Sequence, residues 1–475
     1  MSAPVVERGG LPNEKNGRYT GAMTTETPGT RRSGRFPRWR LLAVGVALLL
    51  GAWWMTFHLR GILIFGLRED YKRAVPYQTA PAGLTSLSAE SCGQCHQAIY
   101  EEWKTSIHAH AYVDPFFQAY WRKDEQIWIC LNCHSPLENQ QPLLIKGLVK
   151  DDAERPITAP NPHYDPDYQR EGISCATCHV RDGVVLGPFD DAVAPHPTKY
   201  DPRFRTTEIC YTCHQVKSGP MQFYNGGPCA TFFEFEGGPY AKRGYVCQNC
   251  HMPEIERPIA TDGPVRKGRQ HLWRGGHSPE MIQRALQAQL IPPASAVAEG
   301  DEARFVLQLT NGGAGHSIPT GDPDRYFLVE LELKDADGKV IRSESHMISR
   351  WIIWRPIIIE VYQNRIPPLE GRSYEFSYRM PDPARAAGMT VHAKVTYHIL
   401  TEKAYARLQN KFGLTEEVPH VFTIAEQTLP LTAHGPVQKV RTASADESPL
   451  PLLPTPSSST PCGGEPDLSV HGGFS

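Results

Sequence analysis

The sequence has almost no excess of charge of either sign: 49 Lys and Arg stand against 51 Asp and Glu, a formal net charge of −2. A chain so balanced carries no electrostatic footprint for nucleic acid, and that class of partner is excluded. It also lacks a nucleophile–base constellation and a Gly-rich phosphate loop, so nothing points to triad hydrolysis or to nucleotide binding. Long apolar runs are scarce, and Leu41 to Phe57 is the one stretch that raises the question of a membrane. Cysteine is scarce outside a single pattern: of 12 cysteines, Cys229 and Cys462 alone fall outside it. What is abundant is Pro (42) and Gly (40), which marks a chain rich in loops. The apolar share of 40% and charged share of 21% are ordinary globular usage, and 475 residues suggest two or three domains.

Residues 1–40 are polar and end in Arg31, Arg32, Arg35, Arg38 and Arg40. They are expected to be disordered. The uncharged run Leu41–Phe57, with GILIFGL beyond it and Trp53 and Trp54 near its far end, reads as a transmembrane anchor over 41–66. No small-residue cleavage site follows the run, which favours an uncleaved anchor over a removed signal peptide. With the arginines ahead of the span, the N-terminus is expected in the cytoplasm. The bulk of the chain is then expected on the periplasmic side of the inner membrane, as a single-pass protein.

Ten cysteines form five copies of Cys-x-x-Cys-His: Cys92/Cys95/His96, Cys130/Cys133/His134, Cys175/Cys178/His179, Cys210/Cys213/His214 and Cys247/Cys250/His251. Two thiols at this spacing can add to the two vinyl groups of one haem, and the adjoining histidine can reach under the ring to ligate its iron. Zinc ribbons close a four-ligand shell from paired Cys-x-x-Cys units and leave a histidine after every unit unexplained. A thioredoxin-like dithiol occurs once, beside a βαβ pattern. Five covalent haem c groups are therefore expected. Successive first cysteines are separated by 38, 45, 35 and 37 residues. So little chain per haem predicts a haem region over 85–284 in which the porphyrins form the core, with short helices at the motifs and little regular secondary structure.

Each iron has a second axial position, where histidine gives a low-potential electron-transfer haem and an empty site permits catalysis. Of 19 histidines, seven outside the motifs lie near haem chemistry: His108, His110, His163, His196, His271, His277 and His316. His108, His196 and His277 lead, followed by His271 and His316. Whether His108 or His110, and His271 or His277, faces a ring is open at this stage.

The stretches YEEWKTSIHAHA and TFFEFEGGPYAKRGYVCQNCHMP resemble the cytochrome c-554 and hydroxylamine oxidoreductase group of multihaem cytochromes. The resemblance runs over about residues 88–330 and includes REGISCATCHV, GGHSPEM and NGGAGHSIPTG. It implies that the Glu-Trp-x-x-Ser-x-His segment, here Glu102, Trp103, Ser106 and His108, supplies a distal ligand in His108. A second copy starts at Glu234 and Phe235, but Tyr240 stands where the histidine would be, with Lys242 and Arg243 beside it. The hydroxylamine-oxidising members use eight haems, from which five motifs depart.

From about residue 285 the pattern becomes apolar–polar alternation broken by turns such as Asp337-Gly338. RFVLQLTNGG, YFLVELELKDADGKVI, RSYEFSYRMP and TVHAKVTYHIL read as strands of an immunoglobulin-like β-sandwich over 285–432. Gly-rich residues 311–325 form a loop able to bring His316 to a haem. Residues 350–362 are apolar enough for a buried strand or a docking patch. Residues 433–475 read as a disordered Pro/Ser-rich tail, and Cys229 as a small buried residue. The fold class expected is thus one N-terminal transmembrane helix, an α-plus-irregular multihaem domain and an all-β sandwich. The expected role is electron transfer between a quinol-linked donor and a soluble or surface acceptor. The alternative is an oxidoreductase acting on a small nitrogen or sulfur oxyanion at an open iron.

Overall fold

The computed structural model describes residues 38–58, 75–149, 155–215, 229–353, 359–415 and 417–436. Nearly all of the expected disordered N-terminus, the GILIFGL extension, and the tail from 437 with Cys462 lie outside these residues. Two compact units are present, Met1–Trp54 and Met55–Ser475.

A helix over Arg38–His58 makes up the described part of the first unit and continues past Trp54. The expected anchor over 41–66 is corrected here: among the described residues no helix is long and apolar enough to cross a membrane. The described helix carries Arg38, Arg40 and His58 among its 21 residues, which shortens its uncharged part. The uncharged run has 17 residues, the short end of the roughly 17–25 that a span requires, and Arg40 and His58 bound it. The single-pass inner-membrane location drawn from that anchor falls with it.

In the second unit, the region of the motifs is built from short helices and small sheets. β1 (Leu143–Leu148) pairs with β2 (Pro156–Pro160). β3 (Val180–Arg181), β4 (Val184–Gly187) and β5 (Thr198–Tyr200) form a three-stranded sheet. β6 (Glu254–Pro258) pairs with β7 (Val265–Arg269). The expectation of little regular structure is therefore also corrected: the described residues are roughly 31% helical and 29% strand, spread over several small sheets. Polar–apolar alternation too short to read in sequence becomes a strand when a partner supplies the hydrogen bonds.

The remaining strands are β8 (Leu286–Ile291), β9 (Glu302–Asn311), β10 (Tyr326–Lys334), β11 (Val340–Ile348), β12 (Arg350–Ile353), β13 (Ile359–Gln363), β14 (Gly371–Arg379), β15 (Thr390–His398) and β16 (Val421–Pro430). They form a four-stranded sheet in the order β11-β10-β15-β16, a three-stranded sheet β14-β9-β8, and the separate hairpin β12-β13. Alternate residues of β9 and β10 point inward, so Phe305, Leu307, Leu309, Phe327, Val329 and Leu331 enter one core fed by both sheets. Gln427 of β16 ties the sheets together, accepting from Leu290 N (2.7 Å) and donating to Ala288 O (2.8 Å). In the hairpin, Arg350 and Ile352 are buried while Trp351 and Ile353 are exposed, so the apolar stretch is a paired strand with one wet face.

Candidate haem-binding site

Each motif lies on or beside a short helix: Ala89–Gly93, Leu131–His134, Cys175–His179, Glu208–His214 and Cys247–His251. Residues three apart on a helix share a face, so one turn presents both thiols together with the histidine next to them. The ten motif cysteines are free thiols. With the five motif histidines they line a single cavity of about 3800 Å³. A small-molecule site usually occupies roughly 300–1,000 Å³, so this space suits several bulky groups side by side. The thiols of Cys92 and Cys175, of Cys133 and Cys213, and of Cys210 and Cys247 lie close enough to perturb one another. The first motif therefore adjoins the third, the second adjoins the fourth, and the fourth adjoins the fifth.

Four motif histidines are oriented by a backbone carbonyl. Nδ1 of His96 donates to Ile259 O (2.5 Å), His134 to Ala111 O (2.6 Å), His179 to Leu186 O (2.8 Å) and His251 to Arg274 O (2.6 Å). A carbonyl can only accept, so the ring proton sits on Nδ1 and the Nε2 lone pair is free for a metal. Burial pushes His134 and His251 down to about 4 and also lowers His179 and His214. His214 is exposed only in the sense that it lines the cavity. These rings are neutral, as a ligand must be.

All five distal candidates, His108, His196, His271, His277 and His316, line the same cavity. Two imidazoles that hold one iron from opposite sides, each through a nitrogen at about 2 Å, have ring centres roughly 6.3 Å apart. Three pairs meet that separation: His108 and His214 at 6.3 Å, His179 and His271 at 6.4 Å, and His251 and His316 at 6.4 Å. Among the described residues no group of three or more His, Cys, Asp or Glu side chains converges as a metal cage. Histidines in opposed pairs suit an iron whose porphyrin already occupies its equatorial positions, and the residues present therefore fit haem c.

Local structure explains which histidines face inward. Ser106 caps the helix Ile107–His110 by accepting from Ala109 N (3.3 Å). That turn leaves His108 in the cavity and His110 exposed outside it. Burial, then the fields of His214, His251 and His271, push His108 to about 3. The other residues of the recognised segment act as struts. Glu102 pairs with Arg257 through two bonds of 2.6 and 2.7 Å and accepts from the backbone N of His271 (2.9 Å). Trp103 donates to Ile173 O (2.8 Å), just ahead of the third motif. His163 is exposed and packs on Tyr77 outside the cavity.

In the second copy, Glu234 pairs with Arg365 (2.6 Å) and accepts from Thr320 (3.1 Å). Tyr240 is buried and its hydroxyl donates to Gly312 O (2.9 Å). A histidine of the β region stands near the fifth motif. The loop after β9 folds back on Asn311, whose Nδ2 donates to His316 O (2.9 Å) and to Ile366 O (3.0 Å). Gly315 passes against the Phe235 ring, where a Cβ would come within 2.8 Å, and His316 arrives opposite His251. Lys242 and Arg243 are exposed and outside the cavity.

Neither of the two remaining candidates makes such a ring-to-ring approach to His96 or His134 among the described residues. His196 has a buried Nδ1 without a hydrogen-bond partner. His277 accepts at Nε2 from Arg325 (3.3 Å), and burial pushes it to about 3. His134 instead stacks on Phe117, with centres 3.7 Å apart. Residues that the sequence did not single out include Arg257, Trp273 and Arg325. Of these, Trp273 and Arg257 had a signal, since they neighbour His271 and the fifth motif.

No protein-family model matches the chain, and no curated protein matches its sequence. Among solved structures, a penta-heme cytochrome c552 from Thermochromatium tepidum is similar with a TM-score of 0.53 at 19% identity, covering 72% of this chain and 98% of that chain. The chain shares the fold of a multihaem cytochrome c. A glycosyl hydrolase family 2 member from Bacteroides cellulosilyticus, at 8% identity and a TM-score of 0.15, covers 30% of this chain and 14% of that chain and carries no argument.

Proposed function

We propose that this chain is a pentahaem cytochrome c whose work is electron transfer. The observation that supports this most is the one cavity in which five Cys-x-x-Cys-His motifs meet five further histidines, three of them opposed to a motif histidine at 6.3–6.4 Å. Cys92, Cys95, Cys130, Cys133, Cys175, Cys178, Cys210, Cys213, Cys247 and Cys250 would hold the haems. His96, His134, His179, His214 and His251 would ligate from one side, and His108, His271 and His316, with His196 and His277 as the two further candidates, from the other. When bound, haem iron alternates between ferric and ferrous states and so carries one electron. The carbonyls of Ile259, Ala111, Leu186 and Arg274 fix the proximal imidazoles, so that little rearrangement accompanies that change. The motifs neighbour one another out of chain order, the first beside the third and the fourth beside both the second and the fifth. A quinol-linked donor and a soluble or surface acceptor complete the path.

A second reading, an oxidoreductase for a small nitrogen or sulfur oxyanion, is favoured by one contact. Arg325 engages the Nε2 lone pair of His277, and an iron that His277 fails to reach is open on that side.

The test is low-temperature electron paramagnetic resonance of the oxidised protein, with haem counted as the pyridine haemochrome. Five haems with low-spin signals alone are expected. A high-spin signal of about one-fifth intensity selects the second reading, and a count below five sinks the first.

A further inference from the structure

The segment 271–274 touches three motif sites at once. His271 lies opposite His179, at 6.4 Å. The carbonyl of Arg274 accepts from His251 Nδ1 (2.6 Å). Between them the Trp273 ring packs on His108, with centres 4.7 Å apart, and meets His271 edge-on at 4.9 Å. One indole is therefore in contact with the distal imidazoles of both the third and the fourth sites.

The backbone of Trp273 has φ +41°. A bulky residue rarely takes positive φ, and where one does the surroundings over-determine it. Those surroundings are visible. Glu102 fixes the His271 backbone N (2.9 Å). The Arg274 guanidinium donates to Thr105 O (2.8 Å) and Thr105 Oγ1 (3.1 Å). Both anchors belong to the segment that carries His108. On its own side the indole packs with the buried cluster of Ala89, Trp103 and Ala109. The chain is thus held on both sides of Trp273, and the left-handed turn between the anchors aims the ring at the gap between the two imidazoles.

We infer that Trp273 is a positioning residue that sets the ring planes of His108 and His271 together, and so tunes the third and fourth haems as a pair. This rests on the reading of those histidines as distal ligands. Among the described residues no hydrogen bond fixes the plane of the His108 ring, whereas His271 has Arg269 O at 2.9 Å from Nδ1; the indole is the packing surface the two rings share.

The orientation of axial imidazole planes is read directly in the g-values of low-spin ferric haem. In the holoprotein, Trp273→Leu is expected to move two of the five low-spin signals and leave three in place, including that of the fifth site, whose contact with the segment is a backbone carbonyl. Trp273→Phe, which keeps a ring, is expected to restore the wild-type spectrum. His108→Ala and His271→Ala serve as references, each converting one low-spin haem to high-spin. If the references behave so and Trp273→Leu moves no signal, or moves all five, the positioning role is overturned while the ligand reading stands. If neither reference loses a low-spin signal, both fall together.

Discussion

The β region and the motif region solve the same problem in opposite ways. From β8 onward, two sheets close on one continuous core in which Phe305, Leu309, Val329, Leu331 and Leu333 are fully buried. Around the motifs, apolar burial among the described residues is broken into small groups, such as Leu87, Leu137, Tyr168, Ala176 and Val180, or Ala89, Trp103 and Ala109, set about a cavity of about 3800 Å³. Close packing is the rule for protein interiors, and voids larger than a water molecule are few. A region with so large a cavity has left its core to be filled from outside the polypeptide, and the group that fills it then contributes directly to folding.

The largest test of that contrast is to withhold the haem. With the motif cysteines replaced by Ala, limited proteolysis is expected to degrade residues 75–285 while a fragment spanning β8 to β16 survives. Equal protection of both regions would show that the motif region has a core of its own. Next, Phe305→Ala is expected to cost about 3–5 kcal/mol and to lower the thermal transition of the β region by calorimetry, with five haems still attached. A smaller and more local break is His316→Ala. It removes the histidine that the β region sets opposite His251, and is expected to turn one of five low-spin haems high-spin without lowering the β transition. Retention of all five low-spin signals would place the ligand elsewhere. The smallest effect expected is that of Ser106→Ala, about 1 kcal/mol for the lost cap, measured by denaturant titration of haem absorbance.

Legibility follows the same division. Cys-x-x-Cys-His is readable because covalent attachment needs residues within one helical turn, and the strands from β9 to β16 are readable because each buries alternate residues on one face. The distal ligands were readable only as a set of candidates. His108 and His110 differ by half a turn of a helix four residues long, which no spacing rule resolves. His316 reaches its partner because Asn311 bends a loop 65 residues after His251. The anchor over 41–66 was read from hydropathy with its flanking arginines and tryptophans, and the described helix covers Arg38–His58. The small sheets β1 to β7 escaped notice because strands of two to six residues show too little alternation to register.

The sequence by itself determined the chemistry that is local: ten thiols and five adjoining histidines at covalent-attachment spacing, and the alternation that builds a two-sheet core. The tertiary structure alone decided which further histidines oppose them, which carbonyl orients each ring, and that the fourth motif adjoins the second and the fifth. The reason is physical. An attachment motif is a bond-length constraint between neighbours in the chain, whereas an opposed pair of histidines is a meeting of segments as far apart as His108 and His214, whose approach is set by packing that no local pattern encodes.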